Sequence, residues 1–127
     1  MSKTIQSSRA ASPVASYSQA VEAGDLIFVS GQIPMNTESG DLISETIEMA
    51  TAQSLSNVEK VLEAAGLGLQ HIVKTTVFLI DASDYTGMDK AYQQRMPEPF
   101  PAREAVFVKG LPKNARVEIS AIAHRNR

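Results

Sequence analysis

Apolar residues along this chain recur with two periods, and the switches between them mark out the elements. Leu26-Ile27-Phe28-Val29 is a continuous apolar run, as expected of a strand covered on both faces, and Ala23-Gly24-Asp25 ahead of it is a turn signal. Ser30-Gly31-Gln32 ends that run, and Gly31 permits close backbone approach. Tyr17 to Glu22 predicts a short strand, and residues 1–16, polar and small, predict edge pairing at most. Pro34 to Asp41 is a polar loop. From 45 to 65 the residues Ile47, Leu55, Val58, Leu62 and Ala65 return at helical spacing, while Glu59, Lys60 and Glu63 take the wet side. This predicts a long helix, with Ser44 as N-cap and Gly66 as terminator. Gln53 and Asn57, one turn apart on its polar flank, are expected to bond a neighbouring strand or solvent.

His71 to Ile80 is rich in β-branched residues and predicts a strand with Val73, Thr75, Val77 and Leu79 on one face. Asp84 to Arg95 predicts a second helix, disfavoured internally by Gly87. Pro97, Pro99 and Pro101 force an extended connection. Ala102 to Lys109 and Arg116 to His124 read as strands, and the short turn between them, Gly110 to Asn114, predicts an antiparallel hairpin. The expected fold is α+β: one mixed sheet with two helices on one face, as a single domain spanning 1–127. The other face would then carry Ile72, Phe78, Phe107 and Ile122, a patch of the kind that marks an oligomer interface.

Composition narrows the chemistry. With no Cys, disulfides, thiolate catalysis and cysteine metal sites are excluded. A net charge of −2, no Trp and only three Tyr and four Phe argue against a dedicated nucleic-acid binder. No apolar run is long enough to cross a bilayer, so no membrane partner is expected. Met1 to Val21 holds Lys3, Arg9, many Ser and Ala and no acid before Glu22, which loosely resembles an organelle transit peptide. Pro13 would interrupt its helix, so the cytoplasm is the expected location.

Two residues stand out. Arg103 sits where the Pro-rich turn ends and an alternating run begins, and its charged fork suits a carboxylate or phosphate. Glu118 lies inside the next alternating run and offers a group to handle a proton. The alternative is an ion pair between neighbouring strands, and whether the two share a face depends on register. Other centres are weaker. His71 and His124 suit solvated or capping roles, and no His, Asp or Glu cluster has metal-ligand spacing. Ser30 has no evident base, and no Gly-rich loop has the form of a phosphate cradle. The basic end, with Lys109, Lys113, Arg116, Arg125 and Arg127, reads as a solvated face before an RNA surface.

Several blocks together resemble the RidA/YjgF family of reactive-intermediate deaminases, also labelled endoribonuclease L-PSP. They are Ser30-Gly31-Gln32-Ile33-Pro34, Val58 with Glu63-Ala64-Ala65-Gly66-Leu67, Lys74-Thr75-Thr76-Val77-Phe78-Leu79, Phe100-Pro101-Ala102-Arg103, and Val117-Glu118-Ile119 with Ala121-Ile122-Ala123. The resemblance covers nearly the whole chain in order. It implies a chorismate-mutase-like fold and a homotrimer with sites in clefts between subunits. It also implies hydrolysis of 2-imino acids such as 2-iminobutanoate and 2-iminopropanoate to 2-oxo acids and ammonia, without metal or cofactor. Carried over by position, Arg103 would bind the substrate carboxylate and Glu118 would activate water. Tyr17 would close the pocket, Ser30 and Gly31 would line it, and the backbone at Ala105 would help hold water or the imine nitrogen.

Three departures bear on the substrate. Ala15-Ser16 replaces the usual Gly-Pro before Tyr17, and Asp89 stands where Asn is common, with a charge that would oppose a carboxylate. Glu104 follows Arg103 where a small residue is usual, and would either compete for Arg103 or point away. The competing functions are an RNA-cleaving or translation-inhibiting protein and a non-catalytic, small-acid-binding or chaperone-like trimer.

Overall fold

In the computed structural model, which describes residues 2–13 and 15–127, the chain builds six strands and two α-helices. In order they are β1 (Ser2–Ile5), β2 (Ala20–Ala23), β3 (Leu26–Gln32), α1 (Ile47–Glu63), β4 (Ile72–Leu79), α2 (Tyr85–Arg95), β5 (Ala102–Phe107) and β6 (Val117–His124). They form one sheet in the order β1-β2-β3-β6-β4-β5, antiparallel except for β4 and β5. The edge pairing expected within residues 1–16 is β1 against β2; Met1 and Val14 lie outside the described residues.

The expected hairpin of β5 and β6 does not form. β4 lies between them, pairing parallel to β5 and antiparallel to β6. A parallel pair needs a long crossover, and α2 with the Pro-rich connection supplies it. A turn at Pro112–Asn114, with Lys113 and Asn114 at positive φ (56° and 59°), carries the chain past β4 into β6.

Both helices pack on one face of the sheet. Val77 and Leu79 of β4, Ile119 and Ala121 of β6 and Ile27 of β3 meet Leu55, Val58 and Leu62 of α1 and Met88 of α2. Each fully buried aliphatic side chain there contributes about 1.5–3 kcal/mol. The expected face of β4 is corrected at one end. Register shifts between Ile72 and Lys74, so Ile72 enters the core in place of Val73. Helix α1 starts two residues later than Ser44 would cap: Thr46 is extended, and its hydroxyl accepts from the Met49 amide at 3.1 Å. Gly87 lets α2 sit against α1, since a Cβ there would collide with the Ile47 side chain.

Asn57 is wholly buried and donates to the carbonyls of Ile33 (3.1 Å) and Met35 (2.9 Å), while accepting from Gln53 (2.9 Å). It thus anchors the segment that follows β3. His71 and His124 each accept a nearby backbone amide through Nδ1, at 3.0 Å. The open face carries Phe28, Phe78, Val106 and Ile122; Phe28 is 42% exposed. Ile72 and Phe107 are not part of it: Ile72 is core, and Phe107 pairs with Leu79 on the helix side.

Candidate functional site

Arg103 is in register with Thr75 on β4, so its side chain rises on the helix face. There α2 meets it with Tyr85, Asp89 and Tyr92, four and three residues apart and hence on one side of the helix. Arg103 Nη1 donates to Asp89 Oδ1 at 2.8 Å, and Nη2 donates to the Tyr85 hydroxyl at 2.9 Å. The guanidinium carbon lies 4.8 Å from the Tyr92 ring centre and 5.7 Å from that of Tyr85, within cation–π range. Tyr92 is itself held by a buried 2.7 Å hydrogen bond with Thr75, and burial pushes its phenol pKa up. Burial opposes the charge on Arg103, but the bonds to Asp89 and Tyr85 outweigh it and hold its pKa above the ordinary value. A cavity of about 300 Å³ opens here, lined by Asp89, Tyr92, Gln93, Phe100, Pro101 and Arg103.

Glu118 is in register with Phe78, and therefore stands on the open face. The alternating burial of β6, with Val117 and Ile119 inside, fixes that direction. Burial raises the Glu118 carboxyl pKa above its ordinary value. A second cavity, about 410 Å³, lies beside it, with Tyr17, Gly31, Ile33, Met35 and Lys113 in its wall. Gly31 is required by Glu118, because a Cβ there would stand 2.7 Å from the carboxyl carbon. Ser30 does not line this cavity. Its hydroxyl donates to the Ser18 carbonyl at 2.6 Å and its amide to the Gln19 carbonyl at 2.9 Å, which ties β3 to the segment bearing Tyr17.

The structure thus brings Arg103 together with Asp89, and Glu118 with Gly31 and Tyr17, but keeps the two groups on opposite faces of the sheet. The alternative of an Arg103–Glu118 ion pair is overturned: the carboxylate on Arg103 belongs to Asp89. Glu104 points away from Arg103, 3.5 Å from Lys74 Nζ and accepting from Thr76 at 3.2 Å. Ala105 shares the face of Arg103, packs on the core, and lines neither cavity. Ala15 precedes Tyr17 in a tight turn, its carbonyl accepting from the Tyr17 amide at 2.9 Å. Among the described residues, no three His, Asp or Glu side chains form a group that could hold a metal ion.

Tyr85 and Tyr92 escape a reading of the chain that looks for acids and bases alone. Their spacing from Asp89 is the signal that reveals them, once Arg103 is known to face α2. Lys113 has no such signal, because nothing in its surroundings marks a non-glycine residue for positive φ.

Comparison with known proteins matches this architecture throughout. A family model described as Endoribonuclease L-PSP matches residues 7–125. The 2-iminobutanoate/2-iminopropanoate deaminase of Escherichia coli is 43% identical over 128 residues, covering 98% of this chain and 99% of the relative. The crystal structure of a putative endoribonuclease from Thermotoga maritima superposes with a TM-score of 0.93 at 39% identity, covering 98% of each chain. That of Escherichia coli TdcF with bound serine gives 0.90 at 35% identity, covering 97% of this chain and 98% of the other. The chain belongs to the endoribonuclease L-PSP family, the YjgF/RidA family.

Proposed function

We propose that this protein hydrolyses 2-imino acids, such as 2-iminobutanoate and 2-iminopropanoate, to 2-oxo acids and ammonia, in sites formed between copies of a homotrimer. The observation that carries the proposal is the separation of the two half-sites. A carboxylate-binding fork and a base of raised pKa each line a cavity, on opposite faces of one sheet. In a single copy the sheet lies between them, whereas the Arg103 half of one copy set against the Glu118 half of the next would complete a site. The apolar open face gives the copies a surface to share. Support also comes from the deaminase relative and from TdcF, whose bound serine is a small amino acid.

In the proposed reaction Arg103 holds the substrate carboxylate, a charge-assisted contact contributing about 1.5–3 kcal/mol. Tyr85 and Tyr92 keep the fork in place. Water attacks the imine carbon as ionised Glu118 takes its proton, giving a carbinolamine. That proton passes to nitrogen, Glu118 then takes the carbinolamine hydroxyl proton as the C–N bond breaks and the C=O forms, and ammonia leaves, carrying off that proton as ammonium. The protonated imine is already electrophilic, so positioning and one base suffice without metal or cofactor. Tyr17 closes the Glu118 cavity and Gly31 gives the carboxyl its room. Ser30 acts indirectly, by holding the Tyr17 segment. Ala105, two residues on from Arg103 along β5, would offer its backbone to the water or the imine nitrogen.

The test is a coupled assay in which threonine dehydratase generates 2-iminobutanoate in the presence of semicarbazide. The wild-type protein should suppress semicarbazone formation, and Arg103→Ala and Glu118→Ala should not, at unchanged oligomeric state. A folded wild type without effect would refute the proposed activity.

A further inference from the structure

We propose that Asp89 determines specificity, restricting the cleft to dipolar ligands in which a cationic nitrogen is carried on the carbon next to the carboxylate. This rests on the deaminase function proposed above and names the form of its substrate: the protonated iminium acid rather than its neutral imine.

The inference starts from the pairing at Arg103. A guanidinium built only to capture an incoming carboxylate would keep its fork free. Here Asp89 is bonded to one terminal nitrogen at 2.8 Å and the Tyr85 hydroxyl to the other at 2.9 Å. The remaining N–H groups are left for a ligand. The Asp89 carboxylate lines the same cavity as the guanidinium, is 47% exposed, and bonds Arg103 through Oδ1 alone. Its ion-pair partner among the described residues is Arg103. The cavity therefore presents a plus and a minus charge side by side, against the aromatic wall of Tyr92 and Phe100.

A simple carboxylate entering this cavity gains Arg103 but meets the negative charge of Asp89, and must share or displace it. A ligand bearing a carboxylate and a cationic nitrogen on adjacent carbons meets both charges with the opposite sign. The two ligand groups stand close enough to address protein groups already in contact. An N–H of the iminium donates to Asp89 while the carboxylate accepts from Arg103. The carboxylate of Asp89 favours the protonated nitrogen, which is the form open to attack by water. The 2-oxo acid product has lost that nitrogen, so the same residue favours its release.

The discriminating experiment is isothermal titration of wild type, Asp89→Asn and Arg103→Ala with two stable probes. One is 2-oxobutanoate, a carboxylate without a cation; the other is L-2-aminobutanoate, a carboxylate beside an ammonium. Wild type should prefer the amino acid. Asp89→Asn should bind 2-oxobutanoate roughly tenfold more tightly and 2-aminobutanoate more weakly, reversing the order, since about 1.4 kcal/mol separates tenfold affinities. Arg103→Ala should bind neither. Asp89→Ser provides the same comparison if the Asn variant does not fold. An unchanged preference in the Asp89 variants, with binding still lost in Arg103→Ala, would overturn the role of Asp89 and leave the proposed deaminase site intact. Absence of binding by wild type and Asp89→Asn alike would overturn the carboxylate site itself, and the role of Asp89 with it.

Discussion

At the scale of residues, the chemistry proposed for this protein depends on two side chains held in opposite ways. Arg103 is fixed by an acid, a hydroxyl and two rings. Glu118 is defined by burial, which raises its carboxyl pKa from the ordinary 4.5. Two outcomes follow from the sign of that shift. Activity needs the ionised form, so the acid limb of kcat/KM should lie above pH 4.5, measurable as a pH profile. For stability the native state keeps this proton to higher pH than the unfolded chain. The Glu118 contribution therefore falls as pH rises from 4.5 through the raised native value. Glu118→Gln should remove that fall while lowering kcat by about 10²–10⁴-fold. A variant that keeps its activity, or an acid limb in the ordinary carboxylate range, would contradict the assignment of Glu118 as base.

At the scale of elements, the site is placed by register, and register is where the chain is least legible. The β-branched run of β4 and the apolar run of β3 announce strands because their pattern repeats over several residues. Arg103 and Glu118 are equally legible as an anion holder and a proton acceptor from their types and settings. Their faces are not, since a slip of one residue turns a side chain to the other side of a sheet. The insertion of β4 between β5 and β6 is likewise invisible in a turn as short as Gly110 to Asn114, which reads as a hairpin. Ile72 is misplaced for a related reason, because a local shift against β6 interrupts simple alternation.

Asn57 connects α1 to the second half-site. Its amide satisfies two carbonyls of the segment leading away from Gly31, and Ile33 and Met35 of that segment wall the Glu118 cavity. Asn57→Ala would leave those part-buried carbonyls without a donor. It should cost about 1–3 kcal/mol in urea unfolding and lower kcat/KM without touching either reactive group. Full stability in that variant would show that the segment is held by other means.

At the scale of the whole molecule, six strands carry an Arg103-lined cavity and a Glu118-lined cavity on opposite faces, and an apolar sheet face lies beside the second. Under the proposed function, a monomer arranged in this way would have a place for a carboxylate and a place for a base but no single cleft that contains both. The proposed assembly in a ring, each copy contributing Arg103 to one junction and Glu118 to the next, would resolve this with one kind of interface. Function and assembly would then be inseparable, and loss of the interface would abolish turnover while leaving each copy folded.

The most direct test of a divided site is complementation. Arg103→Ala and Glu118→Gln proteins, each inactive alone, would be dissociated, mixed in equal amounts and reassembled. A junction holding both intact residues arises in about one of four random pairings, so about a quarter of wild-type activity should return. No recovery from a mixed and correctly assembled sample would mean that both residues act within one copy, or not at all, and would contradict the divided site.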